Sequence, residues 1–151
     1  MHISDIEQYI LDNFDEVNPM DSWGERSFFL NPGNQFKRGT YFATLKARDG
    51  DNDQASYLNR EGVFRLSMGV SKVCYQDRFQ SIPARPAKGG IIEGEYDFQK
   101  LDCLLPHPVY GWMGWVCVLS PSMETFSECK TLMDVAYQKA LKITMKKCAK
   151  S

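Results

Sequence analysis

The sequence predicts an α+β fold, a mostly antiparallel sheet with helices packed on one face. Three observations lead there. Strand-like runs follow one another through turns instead of alternating with helices, which favours hairpins over strand–helix–strand units. The clearest helical patterns sit near the two ends of the chain. No repeat, low-complexity tract or internal boundary interrupts the 151 residues, so a single α+β domain over 1–151 is expected.

The elements follow in order. Ser4-x-x-Glu7 matches a capping box, and Ile6, Ile10, Leu11 and Phe14 recur at helical spacing, predicting a helix over 4–14 that stops at Asn18-Pro19. Ser27 to Leu30 and Thr40 to Ala47 are aromatic and β-branched. The turn formers Asn31-Pro32-Gly33-Asn34 and the basic Lys37-Arg38 lie between them, so they read as an antiparallel pair. Trp23, just before, is expected to cap the same core. Asp49-Gly50-Asp51-Asn52-Asp53 places acids at alternate positions, as a calcium loop does. The glycine is misplaced for that template and the twelfth position is Arg60, so a solvated loop is expected, with Asp53 capping a short helix from Ala55 to Leu58.

Val63 to Met68 alternates as a strand should, and Gly69 ends it. Ser71 then caps one or two helical turns reaching Phe79. From Gln80 to Glu95 proline and glycine recur, which predicts a long irregular loop. Tyr96 to Leu105 reads as a short helix or irregular packing segment. Pro106 and Pro108 bracket His107 and push the residues before them toward extended geometry. Tyr110-Gly111 begins a turn, and Trp115 to Leu119 is a buried strand. Thr125-x-x-Glu128 is a second capping-box pattern, opening a helix over 126–147 whose inner stripe is Cys129, Leu132, Met133, Ala136, Ala140 and Ile143.

Charge narrows the function classes. The net charge is −1, yet residues 1–25 hold seven acids and no Lys or Arg, while 127–151 hold six lysines against Glu128 and Asp134. A whole-chain balance this close to neutral argues against a dedicated nucleic-acid binder. No apolar run approaches the roughly 20 residues of a membrane span, and no secretory leader is evident, so no membrane partner and a cytoplasmic location are expected. The five cysteines are odd in number and form no C-x-x-C pair, which reads as reduced thiols. Only His2 and His107 could join them, so neither a metal site nor a cofactor is expected.

No G-x-G-x-x-G, P-loop, G-x-S-x-G or H-E-x-x-H occurs, so catalysis is not signalled and a binding module is the first reading. Its ligand surface, for a small molecule or a protein, is placed at His107, Tyr110, Trp112 and Trp115, with Arg85 from the long loop. The alternative is a nucleic-acid surface using Lys37, Arg38, Arg85, Lys88 and the terminal lysines. A third reading makes His107, the one residue suited to proton transfer near neutral pH, a general acid or base.

Several blocks carry a family resemblance: Trp23-Gly24 with Phe28-Phe29, Tyr41 to Thr44, Gly62 to Leu66 with Gly69-Val70, and above all Leu104 to Gly111 with Gly114 to Val118, the HPVYG…GWVCV motif. Together they resemble an uncharacterised bacterial family of about this length, labelled only as a domain of unknown function. More distantly, the layout is similar to MmcQ/YjbR-like proteins. The counterparts are Trp23-Gly24 to Phe28, Tyr41 to Leu45, His107 to Val118, and Ala136-Tyr137-Gln138-Lys139-Ala140. That resemblance implies a compact α+β domain and a double-wing surface for DNA; the 80–95 loop is an insertion relative to it.

Overall fold

The computed structural model describes residues 1–150. Six strands form one sheet: β1 (Val17–Ser22), β2 (Glu25–Leu30), β3 (Thr40–Lys46), β4 (Arg65–Gly69), β5 (Leu105–Pro106) and β6 (Trp115–Leu119). Their order is β1-β2-β3-β4-β6-β5, and every neighbouring pair of strands runs antiparallel. Three helices accompany them: α1 (Ile3–Asn13), α2 (Lys72–Phe79) and α3 (Met123–Lys150). The expected α+β class, with helices on one face of an antiparallel sheet, is the observed one.

That face holds the main core. Phe28, Phe42, Leu45, Leu66, Met68, Val116 and Val118 pack beneath Phe126, Cys129, Met133, Ala136 and Ala140 of α3, with Ile6 and Ile10 of α1 and Tyr75 of α2 at its flanks. Each fully buried aliphatic or aromatic side chain there contributes about 1.5–3 kcal/mol. Ser71 caps α2 as expected, its Oγ accepting the Cys74 N–H at 3.1 Å.

Several local expectations are corrected. Asn18-Pro19 does not end a helical region; it lies inside β1, an edge strand, where a missing proline N–H costs no ladder bond. Trp23 and Gly24 form the two-residue turn into β2, with φ of 57° and 75°, the left-handed pair of a type I′ hairpin. Trp23 is therefore 93% exposed at a hairpin tip and caps no core. The α1 cap is His2, whose backbone N–H donates to the Asp5 carboxylate at 2.9 Å, and not Ser4. Glu7 is drawn away to Arg26. Likewise α3 starts three residues before the expected 126, because Ser122 Oγ accepts the Thr125 N–H at 3.2 Å. No helix forms between Ala55 and Leu58, and Gly69 ends β4 from within, paired with Trp115. Residues 80–95 carry no regular helix or strand, as their proline and glycine content foretold, and of the two readings for the segment from Tyr96 the irregular one holds as far as Leu104.

Candidate functional site

The face of the sheet away from α3 has a different character. Strand alternation sets side chains of the central strands on it in three cross-strand rows. One row is aromatic: Phe29, Tyr41, Gly69 and Trp115. The next is small and polar: Ser27, Thr44, Ser67 and Cys117. The third is charged: Glu25, Lys46 and Arg65, ending at Leu119. Gly69 is a packing requirement here, since a Cβ would lie 2.7 Å from the Trp115 ring, which occupies the space over it. Trp115 in turn stacks on Tyr41 with ring centroids 5.1 Å apart.

Two loops arch over this face. Asp49 shapes the first, accepting the Leu58 N–H at 2.7 Å while its own N–H donates to Asn59 Oδ1 at 3.0 Å. The arch brings Asp53 onto Arg65 in a bidentate pair, with Nη1 donating to Oδ1 at 2.9 Å and Nη2 to Oδ2. Ser56 Oγ accepts a further Nη1–H at 3.1 Å, and Glu25 stands 3.9 Å from Nη2. Arg65 is fully buried, and its Nε and the Ser67 Oγ are buried without a partner among the described residues. Burial alone opposes both charges of the pair. The Arg65 hydrogen bonds and charge, helped by the Lys46 charge, outweigh this for Asp53 and hold its carboxyl below the usual range, and Asp53 in turn keeps Arg65 charged.

The second loop carries His107, which is only 1% exposed. β5 leads into it, and its N–H donates to the Trp115 carbonyl at 3.0 Å, placing it beside Trp115 on the open face. The chain then folds back so that the N–H groups of Val109 and Tyr110 both donate to His107 Nδ1, each at 3.1 Å. A nitrogen accepting two donors holds no proton, so the ring proton is on Nε2. Burial, with the positive charges of Arg65 and Lys46, pushes the ring's basicity well below the ordinary value of 6.5; Asp53 opposes this and does not prevail. His107 is a neutral imidazole with a fixed Nε2–H.

Between the loops and the β1–β2 hairpin lies a cavity of about 700 Å³. Glu25, Lys46, Asp53 and His107 form its polar side; Phe29, Tyr41, Tyr110 and Trp115 form its aromatic side; Trp23 and Arg38 stand at its mouth. Lys46 is nearly buried, and its Nζ reaches the Trp23 carbonyl at 3.4 Å.

Of the residues singled out from sequence, His107, Tyr110, Trp115 and Arg38 thus meet at one cavity. Trp112 and Arg85 do not line it; they pair with each other, the guanidinium 4.8 Å above the indole. Lys37 and Lys88 are exposed, and neither is among its lining residues. Glu25, Tyr41, Lys46, Asp53 and Arg65 were not foreseen in the site. Their signal was a charge at an alternate position inside a strand, as in Thr40–Lys46 and Arg65–Gly69. Cys117 lies beneath the site, and burial raises its thiol to about 12, which leaves it inert as a nucleophile. Among the described residues no group of three or more His, Cys, Asp or Glu is placed to hold a metal ion, and no helix is long and apolar enough to cross a membrane.

A model of the DUF6194 family, a family of unknown function, matches residues 1–149, and the chain belongs to that family. Searches of curated proteins and of solved structures gave no match.

Proposed function

We propose that this member of the DUF6194 family binds a small polar organic molecule in the cavity on the open sheet face, and that His107 serves there as a fixed hydrogen-bond donor. The observation that carries this reading is the doubly occupied Nδ1 of a buried histidine that lines the cavity. Two backbone N–H groups select one tautomer and one ring orientation, the preorganisation that a binding site needs. The same geometry speaks against His107 as a general base, because Nε2 already bears the proton and Nδ1 cannot take one. The mixed aromatic and polar lining suits a ligand with a flat apolar part and a few polar atoms. A cytoplasmic setting accompanies the reading, in keeping with the free thiols of Cys74, Cys103, Cys117 and Cys129.

The test is a fragment screen by ligand-observed and protein-observed NMR on wild-type protein and on His107→Asn. The asparagine amide can still accept from Val109 and Tyr110, but it puts nothing where Nε2–H was. Hits should bind the wild type, shift the Trp115 indole resonance and be lost in the variant. Hits that bind the variant equally well, or that map away from Trp115, refute the proposal.

A nucleic-acid module, which the MmcQ/YjbR-like resemblance implies, is the second reading. One observation favours it: Lys37, Arg38, Arg85 and Lys88 are all exposed. It requires DNA affinity that falls with added salt, and the absence of any DNA shift at low ionic strength removes it.

A further inference from the structure

The groups facing the cavity are unevenly satisfied. Two of its four carboxylates are fully engaged: Asp53 has both oxygens on Arg65, and Asp21 has both on Arg26, at 2.7 and 2.9 Å. Its donors are not. Lys46 Nζ has one long bond to a carbonyl and no carboxylate within 4.0 Å among the described residues. His107 Nε2–H has no acceptor among them, and Arg65 Nε, buried beneath, has none either. Lys46 Nζ and His107 Nε2–H belong to residues that line the cavity, and a ligand that supplies acceptors there gains hydrogen bonds that no protein group makes.

Lys46 and His107 also act on one another, since the lysine charge is among those that depress the imidazole's basicity. A negative group between them would meet an ammonium on one side and a neutral N–H on the other. Glu25 and Asp51 face the same space and limit how much negative charge it accepts. Glu25 lies opposite Lys46 in the strand register but reaches only as far as Arg65, at 3.9 Å. This favours a single negative charge over two.

We infer that the cavity takes a small aromatic or planar monocarboxylate, its carboxylate between Lys46 Nζ and His107 Nε2–H and its flat body against Tyr41 and Tyr110. Tyr41 and Tyr110 suit the second role because both are partly exposed, at 40% and 44%, while Trp115 behind Tyr41 is not. The inference rests on the cavity being a ligand site, and it can fail while that reading stands.

Four probes of one shape test it: benzoate, phenyl phosphate, benzamide and benzylamine, each titrated by ligand-observed and protein-observed NMR into wild type, Lys46→Met and His107→Asn. Benzoate should bind tightest and move the His107 Nε2–H resonance of the wild-type protein. Its Kd should rise at least about tenfold in each variant, the scale of one charge-assisted hydrogen bond. Tighter binding of benzylamine or benzamide overturns the carboxylate and leaves the cavity reading intact. Tighter binding of phenyl phosphate overturns the single-charge limit. If none of the four binds although neutral fragments do, the oxyanion assignment is overturned alone. Should Lys46→Met fail to fold, the wild-type arm still decides: benzoate binding that leaves the Nε2–H resonance unmoved contradicts the placement.

Discussion

The two faces of the sheet are built from the same strands, and in β4 and β6 both are buried, yet their chemistry is opposite. β4 sends Leu66 and Met68 to the helix side and Arg65 and Ser67 to the other, and all four are buried. β6 does the same with Val116 and Val118 against Trp115 and Cys117. On the first face α3 removes water and apolar contacts repay it. On the second, two loops cover the sheet incompletely, and beneath them lie a buried arginine, lysine and histidine with a half-buried aspartate. Burying charge is a poor route to stability, since replacing such a pair by apolar residues is often neutral or stabilising. The helix face accounts for why the chain folds; the loop face is where a function would justify its cost.

The difference can be broken from either side. The largest expected effect is Phe42→Ala, a fully buried aromatic under α3, which should cost about 3–5 kcal/mol in denaturant unfolding. Asp53→Ala should cost about 3 kcal/mol by the same measurement, because it leaves Arg65 buried with the Ser56 hydroxyl and, as its nearest counter-charge, Glu25 at 3.9 Å. The two faces part in the double change Arg65→Met with Asp53→Leu, which should restore most of that loss. No pairing rescues Phe42→Ala in this way. A double variant as unstable as Asp53→Ala would mean that the pair itself is needed for the fold.

Gly69→Ala comes next, at about 1–3 kcal/mol, because its Cβ would press on a Trp115 ring that has no room to retreat. It should also disturb Tyr41 fluorescence transfer to Trp115, and an unchanged melt would show that the aromatic row is looser than described. The smallest effect is in pH. The folded protein keeps His107 neutral while the unfolded chain titrates near 6.5. Below that value the unfolded state therefore binds the extra proton, and stability should fall as pH drops from about 6.5, at up to about 1.4 kcal/mol per pH unit. Asp53 acts in another window: its carboxyl is held down, so its contribution is present above 3.8 and is lost only at more acidic pH. His107→Asn should remove the first slope and keep the second; a wild-type stability flat from pH 7 to 5 would refute the neutral assignment.

The helix face was legible in the sequence because its signals are local. Ile6 and Ile10, the α3 stripe from Cys129 to Ala140 and Ser71 announce themselves within one turn of helix, while the last expected member of that stripe, Ile143, is exposed and Thr144 is buried instead. The alternating strand β3 and the buried run of β6 were readable for the same reason. The loop face was not, because its partners are brought together by tertiary geometry: Asp53 reads locally as a cap for Ala55 to Leu58, but the Asp49 clamp turns it toward Arg65 twelve residues on. Pro19 reads as a terminator because a strand edge is invisible without its neighbour. Trp23 reads as core because its hydrophobicity is visible and its left-handed φ of 57° is not. Trp112 shows the converse, since local aromatic density placed it with Trp115 while a 3-10 turn at Gly111–Met113 carries it elsewhere, under Arg85. His107 was found, but its role depended on which nitrogen faces the turn.

That nitrogen is the most direct test. In a His2→Gln background, which leaves one histidine, long-range nitrogen–proton NMR reports the His107 tautomer and its titration. The expected result is an Nε2–H imidazole with Nδ1 unprotonated and no change from pH 8 to 5. An imidazolium forming near pH 6.5, or a proton on Nδ1, would contradict the fixed donor on which the proposed site depends.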